Sequence, residues 1–515
     1  MAVQGDDEVW RRLANEIARG AEYDSNERRP FSRCLPGTRV ELLTRLDDSL
    51  AQQDNRFVWL FGGSGSGKSS VAYSTADHLR STGRLATTFF FSRKDVSRSN
   101  TDRVFLTLAY QIGLLHDCAR EAIVKAIRRD PDILSPQKSR RDQFEKLVAE
   151  PLRELQFMWS TNRVMVFDAA DEVEMSYGEQ LRDLIGMLAE LLRDPTIPIS
   201  SILCTSRISS HLQALTRHQS IINLMAPLYV ESFHATEDIR LYLRHTFHGI
   251  YQLRDLEFAH SLPWPAEDII NTLVNQIQGQ FIVAATVCRL VHDAPDPTDC
   301  LNVVSSMYRG VMNPLDLTLG SIDSVYRYII NSCELQDQQL GVECLADVIA
   351  LASPLSLSNI CRLFAGDVRK RVAHFSAIIF IPSMESSSSV QIYHTSLRDY
   401  LSTSSRSKNF HVDPAESHRR LAGLCLKLMW RELKKDMCGL EDPSKLHVEI
   451  PDFERKRDEA ISGALRYACL YWPYHLQRMA PSSENQALVA RFLHEQLPFF
   501  LEALSVGGFN VGSLR

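Results

Sequence analysis

The sequence predicts an α/β domain with a parallel sheet, followed by a helical domain, a winged helix and a C-terminal helical region. Three observations support this prediction. An apolar strand, Phe57–Phe61, leads into a glycine-rich loop and a helix. Further apolar strands alternate with helical segments up to residue 230, which is typical of a doubly wound sheet with its ligand at the carboxyl ends of the strands. From residue 235 onward, apolar residues recur mainly three and four positions apart, as in helices.

The composition is that of an ordinary globular protein. The 515 residues suffice for about three or four domains, and 44% of them are hydrophobic and 23% charged. A net charge of −6 gives no general attraction to nucleic acid or to anionic membranes. No stretch approaches 18 consecutive apolar residues, so we expect no membrane span.

The cysteines and the N-terminus favour a cytoplasmic location. The eleven cysteines are scattered and odd in number, and they include no Cys-x-x-Cys pair. This pattern argues against a disulfide framework or a zinc site and indicates a reducing compartment. The first eight residues are acidic and polar, unlike a secretory signal.

Residues 1–40 are expected to hold one amphipathic helix and a linker. The helical spacing runs from Glu8 to Ala21, and a polar segment with prolines follows from Asp24 to Gly37. A linker is favoured over an independent domain because prolines and polar residues punctuate the segment.

The α/β domain is expected over residues 41–234. A helix at Val40–Ala51 leads into the first strand, and later strands end next to polar or charged residues. Continuous apolar runs suit strands that are covered on both faces. The further predicted strands are Leu85–Phe91, Arg163–Asp168, Ser200–Cys204 and one within Ile221–Val230, and the further helices are Asp102–Leu115, Cys118–Arg129, Arg141–Leu155 and Gly178–Arg193.

The rest of the chain divides into three predicted domains. Residues 235–320 form a helical domain, residues 321–405 have the order of a winged helix, and residues 406–515 are helical. In the second of these, three helices precede two short strands that a serine-rich loop joins. Basic residues near the third helix raise a DNA-binding alternative, which the acidic net charge disfavours. These residues are Arg362, Arg369, Lys370 and Arg371.

The glycine-rich loop has the Gly-x-x-x-x-Gly-Lys-Ser pattern of a phosphate-binding P-loop. Glycines let backbone N–H groups close around an anion, and the following helix adds the positive end of its dipole. Lys68 would reach the β- and γ-phosphates, and the Ser69 hydroxyl would bind Mg²⁺. The alternative, a flexible Gly/Ser loop, is disfavoured by the strand before it and the helix after it. The candidate nucleotide-binding residues are Gly62, Gly63, Ser64, Gly65, Ser66, Gly67, Lys68, Ser69 and Ser70.

A P-loop requires an acidic site on another strand, and the strand ending at Asp168 supplies it. Asp168 is placed to hold Mg²⁺, directly or through water. Asp171 or Glu172 could activate the attacking water as a general base. The alternative is an acidic turn after a strand, which the pairing with a P-loop makes less favourable.

Arg207 follows the fourth strand, where a cation would face the γ-phosphate; the alternative is a solvated surface arginine. An additional strand lies between the P-loop and Asp168 in the sequence. It favours the NTPase branch in which the acidic strand is not adjacent to the P-loop strand. The Asn-Lys-x-Asp motif of GTPases is absent, so ATP is preferred over GTP.

The chain resembles the NACHT group of STAND-class signalling NTPases, which are NLR-like, and most closely the fungal members with a nephrocystin-type N-terminal NTPase domain. The resemblance runs over nearly the whole chain. It rests on the P-loop, on Phe167–Glu172 and on five further segments. These are Gly20–Asp24, Cys34–Arg39, Phe89–Arg93, Cys204–Arg207 and, in the predicted winged helix, Tyr393–Leu401.

The resemblance implies roles for the matching residues. Lys68 and Ser69 look like the phosphate and Mg²⁺ contacts, and Asp168 like the metal acid. Asp171 and Glu172 resemble the water-activating pair, and Arg207 the sensor of the γ-phosphate. His394 matches the histidine that touches the ADP β-phosphate in relatives and keeps the resting state closed; the alternative is a core histidine at a strand end.

One departure from the family pattern concerns the adenine side of the site. Many STAND relatives have Gly-Leu-Pro where this chain has Gly279-Gln280-Phe281. Because the proline is absent, the sequence does not assign a residue to the contact with adenine.

The implied function is a switch that binds ATP or ADP with Mg²⁺ and hydrolyses the triphosphate slowly. Exchange of ADP for ATP would open the domains and allow homo-oligomerisation, in innate-immunity-like or heterokaryon-incompatibility-like signalling with an effector or ligand protein. The alternatives are a motor-type turnover ATPase and a nucleotide-binding scaffold with a decayed site. Relatives usually carry an effector domain and a repeat array, and we expect room for neither. The activating signal, the effector and the oligomer size are open.

Overall fold

The computed structural model divides into two compact units, Met1–Ile322 and Asp323–Arg515. Each unit is described by itself. The predicted boundary between residues 320 and 321 lies outside the described residues, and the finer domain division stays a prediction. The structure describes residues 2–25, 33–52, 56–159, 161, 163–208, 212, 221–256, 261–308, 322–333, 335–440, 450–480 and 483–507.

The first unit contains a parallel sheet of five strands, which are β1 Arg56–Phe61, β2 Leu85–Phe90, β3 Arg163–Asp168, β4 Ile199–Ser206 and β5 Met225–Tyr229. Their order in the sheet is β2-β3-β4-β1-β5. Strand β4 lies between the P-loop strand β1 and the acidic strand β3, so the prediction that these two strands are not adjacent is confirmed. The unit is therefore a parallel-sheet α/β P-loop NTPase fold.

The central strands are apolar on both faces because helices cover both sides of the sheet. In β1, Phe57 and Trp59 belong to one core, and Val58 and Leu60 belong to the other. This alternation follows from the period of two residues in a strand, and burial on both faces explains the continuous apolar runs. The helices of the sheet domain are α1 Ala2–Glu16, α2 Val40–Ala51, α3 Lys68–Ser81, α4 Val104–Leu115, α5 Asp117–Arg129, α6 Arg140–Phe144, α7 Glu150–Glu154 and α8 Gly178–Arg193.

The predicted helix Arg141–Leu155 is not one regular α-helix. A π-helical turn, Glu145–Ala149, separates α6 from α7. Pro151 lies in the first turn of α7. Because proline has no backbone N–H to donate, the hydrogen-bond ladder is interrupted near this position.

The N-terminal segment packs on the first unit where the structure describes it, and the linker predicted from Asp24 to Gly37 stays a prediction. Helix α1 begins earlier than predicted, and its Trp10 is buried and stacks on Tyr110 at 5.1 Å between ring centroids. Ala18 and Ala21 belong to a core of the α/β domain. The segment is thus part of the first unit, although residues 26–32 lie outside the described part of the chain.

Helices follow the sheet, as predicted. Val230–Ser232 forms a short 3-10 turn directly after β5. The helices then pack on one another through apolar stripes, for example Ile270, Leu273 and Ile277 on one face. They are α9 Thr236–Leu253, α10 Glu267–Ile277, α11 Phe281–Asp293 and α12 Pro297–Tyr308.

The described part of the second unit is helical, with one small antiparallel hairpin. Three helices precede strands β6 Ile379–Phe380 and β7 Gln391–Ile392, in which Ile379 pairs with Ile392. This is the predicted order of elements; its assignment as a winged helix stays a prediction. The described helices of this unit are α13 Ile322–Asn331, α14 Leu335–Ile349, α15 Leu357–Phe364, α16 Val368–Val372, α17 Ser396–Leu401, α18 Ser404–Ser407, α19 Pro414–Glu432, α20 Phe453–Ala460, α21 Gly463–Arg478, α22 Ser483–Glu495 and α23 Leu497–Val506.

Within the described parts of both units, no helix combines the length and the apolar character that a membrane crossing needs. All eleven cysteines lie in these parts and are free thiols.

Candidate functional site

The candidate site is the loop between β1 and α3. The strand ends at Phe61 and the helix begins at Lys68, as the P-loop pattern requires. Gly65 and Gly67 have φ angles of 75° and 92°, in the left-handed region that favours glycine. A Cβ atom at Gly67 would meet nothing within 4 Å, so there is open space beside this residue.

Lys68 crosses the start of the loop. Its Nζ donates hydrogen bonds to the carbonyl oxygens of Gly62 at 2.8 Å and Gly63 at 2.7 Å. Burial lowers the pKa of Lys68, and the negative charge of Asp171 opposes this shift. The ammonium group is therefore fixed beside the loop by backbone acceptors and lies within the field of the acidic site.

Several buried polar atoms around the loop make no hydrogen bond to any described residue. They are Ser64 Oγ and Ser66 Oγ in the loop, and Nε and Nη1 of Arg39. Arg39 is 4% exposed, and its Nη2 donates to the Ser66 carbonyl oxygen at 2.9 Å. Buried polar groups are nearly always paired in folded proteins. Hydroxyl and guanidinium donors in this position fit a ligand rich in oxygen acceptors.

Asp168 ends β3 and is 2% exposed. Thr205 Oγ1 donates to Asp168 Oδ1 at 2.6 Å, and the Ala169 N–H donates to Thr205 Oγ1 at 3.0 Å. The neighbouring strand β4 thus orients the carboxylate. Ser69 is the second residue of α3. A carboxylate and a hydroxyl are oxygen ligands of the kind Mg²⁺ takes together with phosphates and water, so the residues fit this ion.

Asp171 and Arg207 are joined directly. Arg207 Nε lies 3.1 Å from Asp171 Oδ2, and the Arg207 backbone N–H donates to Oδ1 at 3.0 Å. The structure therefore brings together two of the predicted catalytic residues, and Arg207 is held by an acid of the site. Lys68 is within the electrostatic influence of both residues.

Glu172 has a different partner from Asp171. The Arg93 N–H at the end of β2 donates to Glu172 Oε2 at 3.0 Å, while Arg93 Nη2 donates to the Asp171 carbonyl oxygen at 2.6 Å. Burial, and then the charge of Asp171, raises the pKa of Glu172. A carboxyl group with a raised pKa is the better proton acceptor when ionised.

His394 belongs to the second unit, after β7. Its Nδ1 accepts a hydrogen bond from the Ser396 N–H at 3.0 Å and lies 2.7 Å from Ser396 Oγ. Because Nδ1 accepts from a backbone N–H, the ring proton of the neutral histidine is on Nε2. The ring is therefore oriented by the start of α17, and its hydrogen-bond donor is Nε2.

Residues near the loop that the sequence did not identify as functional come from distant segments. Besides Arg39, Glu231 Oε1 accepts a hydrogen bond from the Gly63 N–H at 2.6 Å, and the Ile282 N–H donates to the Gly65 carbonyl oxygen at 3.2 Å. The Arg39 guanidinium lies 5.0 Å from the ring centroid of Phe281. Phe281 stands where many relatives have proline. The only sequence signal was the match at Cys34–Arg39, which carried no assigned role.

The chain is similar to several known proteins. The chain is 22% identical over 498 residues to the vegetative incompatibility protein HET-E-1 of Podospora anserina, covering 88% of this chain and 33% of that protein. The chain thus spans about a third of the length of this curated relative. Among solved structures, it is similar to a STAND protein with a tetratricopeptide repeat sensor from Pyrococcus horikoshii, with a TM-score of 0.46 and 11% identity over 95% of this chain and 56% of that one. A Cdc6p of Pyrobaculum aerophilum gives a TM-score of 0.32 and 12% identity over 71% and 92%.

The family model described as "Nephrocystin 3, N-terminal" matches residues 41–207. The match begins in α2 and ends at Arg207, so it includes the P-loop, β3 with its acids and the sensor candidate. Residues 41–207 thus resemble the N-terminal NTPase domain of nephrocystin 3, which supports a NACHT-like STAND NTPase. Lys68, Asp168 and Arg207 lie inside the matched region, as do Asp171 and Glu172. Outside it lie Arg39, Glu231, Phe281 and Ile282.

Proposed function

We propose that this protein is a nucleotide-operated signalling switch that binds ATP or ADP with Mg²⁺ and hydrolyses the triphosphate slowly. The observation that carries the proposal is the P-loop itself. Lys68 is fixed by two loop carbonyls, and the buried donors of Ser64, Ser66 and Arg39 surround the loop without a partner among the described residues. A polyphosphate satisfies these donors, and the positive end of α3 favours its charge.

The acidic residues supply the chemistry of the proposal. Mg²⁺ would be held by Ser69 and Asp168 and would supply charge neutralisation for the phosphate chain. Asp171 or Glu172 would hold and deprotonate the attacking water. The hydrogen bond from Arg93 orients Glu172, and the pair with Arg207 orients Asp171. Arg207 would move its guanidinium between this carboxylate and the γ-phosphate.

The switch itself is proposed from the family resemblance. His394 would donate its Nε2–H to the β-phosphate of ADP and keep the resting state closed, and exchange for ATP would free the domains to form a homo-oligomer. The energy for this change comes from the different contacts of the two nucleotides in the two states. The protein would act in the cytoplasm, in innate-immunity-like or heterokaryon-incompatibility-like signalling.

Calorimetric titration with Mg²⁺-ADP and a slowly hydrolysed ATP analogue tests nucleotide binding. The wild-type protein should bind both, and Lys68→Ala should lower both affinities by at least about tenfold, because a charge-assisted contact to phosphate is lost. Lys125→Ala, an exposed residue of α5, is the matched control and should bind like wild type. Equal affinities of Lys68→Ala and wild type would contradict the proposal.

A further inference from the structure

Glu231 lies beside the P-loop because of the register of the sheet. Strand β5 pairs with β1 in parallel, with Phe61 opposite Tyr229. Beyond this pair, β1 continues into the loop and β5 into the turn Val230–Ser232. The parallel register therefore places the residue after Val230 next to the first residues of the loop.

The contact between the turn and the loop is tight. Glu231 Oε1 accepts the Gly63 N–H at 2.6 Å, a short, charge-assisted hydrogen bond. Val230 is buried, and a Cβ atom at Gly62 would stand 2.9 Å from Val230 Cγ2. The turn thus lies directly on the loop, which fixes the position from which the carboxylate extends.

The charge of the Glu231 carboxylate acts on the cations of the site. Burial is the first cause of the pKa shifts of both Lys68 and Arg39 and lowers them, and the charge of Glu231 acts on both in the opposite direction. The negative charge of Glu231 therefore acts on both Lys68 and Arg39 before any nucleotide binds. Carboxylate and phosphate oxygens are both acceptors, so they compete for the same donors.

We propose that Glu231 is a specificity-determining residue that disfavours the nucleoside triphosphate relative to the diphosphate. The inference rests on the proposed function of the same site. The γ-phosphate is the additional negative group of the triphosphate. Its oxygens are attracted by Lys68 and repelled by the carboxylate of Glu231. The diphosphate lacks this group, so the carboxylate keeps its bond to Gly63 at lower electrostatic cost. The resting, diphosphate-bound form is favoured as a result.

Glu231→Gln removes the negative charge but keeps the size of the side chain, and the amide oxygen can still accept the Gly63 N–H. Calorimetry at low salt with Mg²⁺ should show that the variant binds a slowly hydrolysed ATP analogue about fivefold more tightly, the effect of removing one solvent-accessible charge. Its affinity for ADP should change by less than about twofold. The gain should shrink at about 0.5 M salt because screening weakens the repulsion. Glu237→Gln is the control, since that side chain is 80% exposed and lies on α9.

The outcomes separate this inference from the proposed function. A higher ATP-to-ADP affinity ratio in Glu231→Gln but not in Glu237→Gln supports the role of Glu231. An unchanged ratio, or weaker binding of the ATP analogue, overturns it even when Lys68→Ala abolishes binding. A wild-type protein that binds neither nucleotide overturns both.

Discussion

Arg207 and Asp171 are joined by two contacts across adjacent strands. The guanidinium Nε lies 3.1 Å from Oδ2, and the backbone N–H of Arg207 donates to Oδ1 at 3.0 Å. Arg207 follows β4, and Asp171 lies in the turn after β3, so the parallel pairing of these strands brings them together. This is the cation that we propose to sense the γ-phosphate, and an acid of the site holds it in place.

Arg207→Gln should therefore affect hydrolysis and not ADP binding. We expect single-turnover phosphate release to slow by about a hundredfold, the usual effect of removing one donor to a developing negative charge. The affinity for ADP should stay within about twofold of wild type. Arg182→Gln, an exposed position on α8, is the control. Loss of ADP affinity in proportion to hydrolysis would show that Arg207 is a general binding residue instead.

His394→Ala tests the proposed contact to the β-phosphate. The ring is oriented by the Ser396 N–H, and Nε2 is its donor. Removing it should weaken ADP about tenfold and the ATP analogue by less than about twofold, measured by calorimetry. His374→Ala, an exposed histidine of the same unit, should change neither affinity. Equal losses for the two nucleotides would argue against a latch that is specific for the diphosphate.

The elements that sequence predicts best have strong local signals. Helices α2 and α8 and strand β3 have the predicted bounds, because long apolar runs or clear helical spacing end at polar, glycine or acidic residues. The P-loop and Asp168 are equally local, since spacing and residue type identify both. That β1 and β3 are not adjacent in the sheet was inferred less directly, from the additional strand that lies between the P-loop and Asp168 in the sequence.

The remaining contacts of the site depend on tertiary packing. Glu231 reaches Gly63 over 168 positions through the pairing of β5 with β1, and Arg39 reaches Ser66 from the residue before α2. In the sequence, a glutamate or an arginine that contacts the loop looks the same as one that is a solvated surface charge. The N-terminal helix was predicted over Glu8–Ala21 but runs from Ala2 to Glu16, and Ala18 and Ala21 are buried beyond its end by packing on the sheet domain.

Gly65→Ala should destabilise the first unit more than its backbone angle explains. A Cβ atom at this position would lie 2.0 Å from Ile282 Cγ2, and φ is 75°. Gly83 has a φ of 69° with nothing within 4 Å of its Cβ position, so Gly83→Ala measures the backbone cost alone. Urea unfolding should show Gly65→Ala to be less stable than Gly83→Ala by about 1–3 kcal/mol, the usual cost of overpacking. Equal stabilities would mean that α11 does not pack on the loop.

A buried histidine pair should make the second unit sensitive to acid. Tyr467 OH accepts the Ala352 N–H and lies 2.8 Å from His475 Nε2, and His475 Nδ1 lies 2.8 Å from His418 Nδ1. Both rings are neutral in this chain of hydrogen bonds. Burial lowers the pKa of His418 to about 4, with help from Arg478 and Arg398, and lowers that of His475 to about 2.

The sign of the pH effect follows from these values. Below the ordinary pKa of 6.5, the unfolded chain binds protons that the folded chain does not, so stability falls with pH, from 6.5 to about 4 through His418 and to about 2 through His475, and is unaffected above 6.5. Each histidine contributes about 1.4 kcal/mol per pH unit at the steepest part. Hydrogen exchange of α21 amides at pH 7.5 and 5, corrected for intrinsic rates, measures this loss. His418→Gln should reduce it by about half, whereas the exposed His374→Gln should not; the same loss in all three proteins would exclude the pair as its source.

The central claim, a nucleotide-dependent switch, is tested most directly by particle mass. Light scattering on a sizing column, with Mg²⁺-ADP and then with a slowly hydrolysed ATP analogue, compares the two states in the same protein. We predict the 58.5 kDa monomer with ADP, a multiple of this mass with the analogue, and a monomer under both conditions for Lys68→Ala. The same mass with both nucleotides in a wild-type protein that binds both would contradict the account.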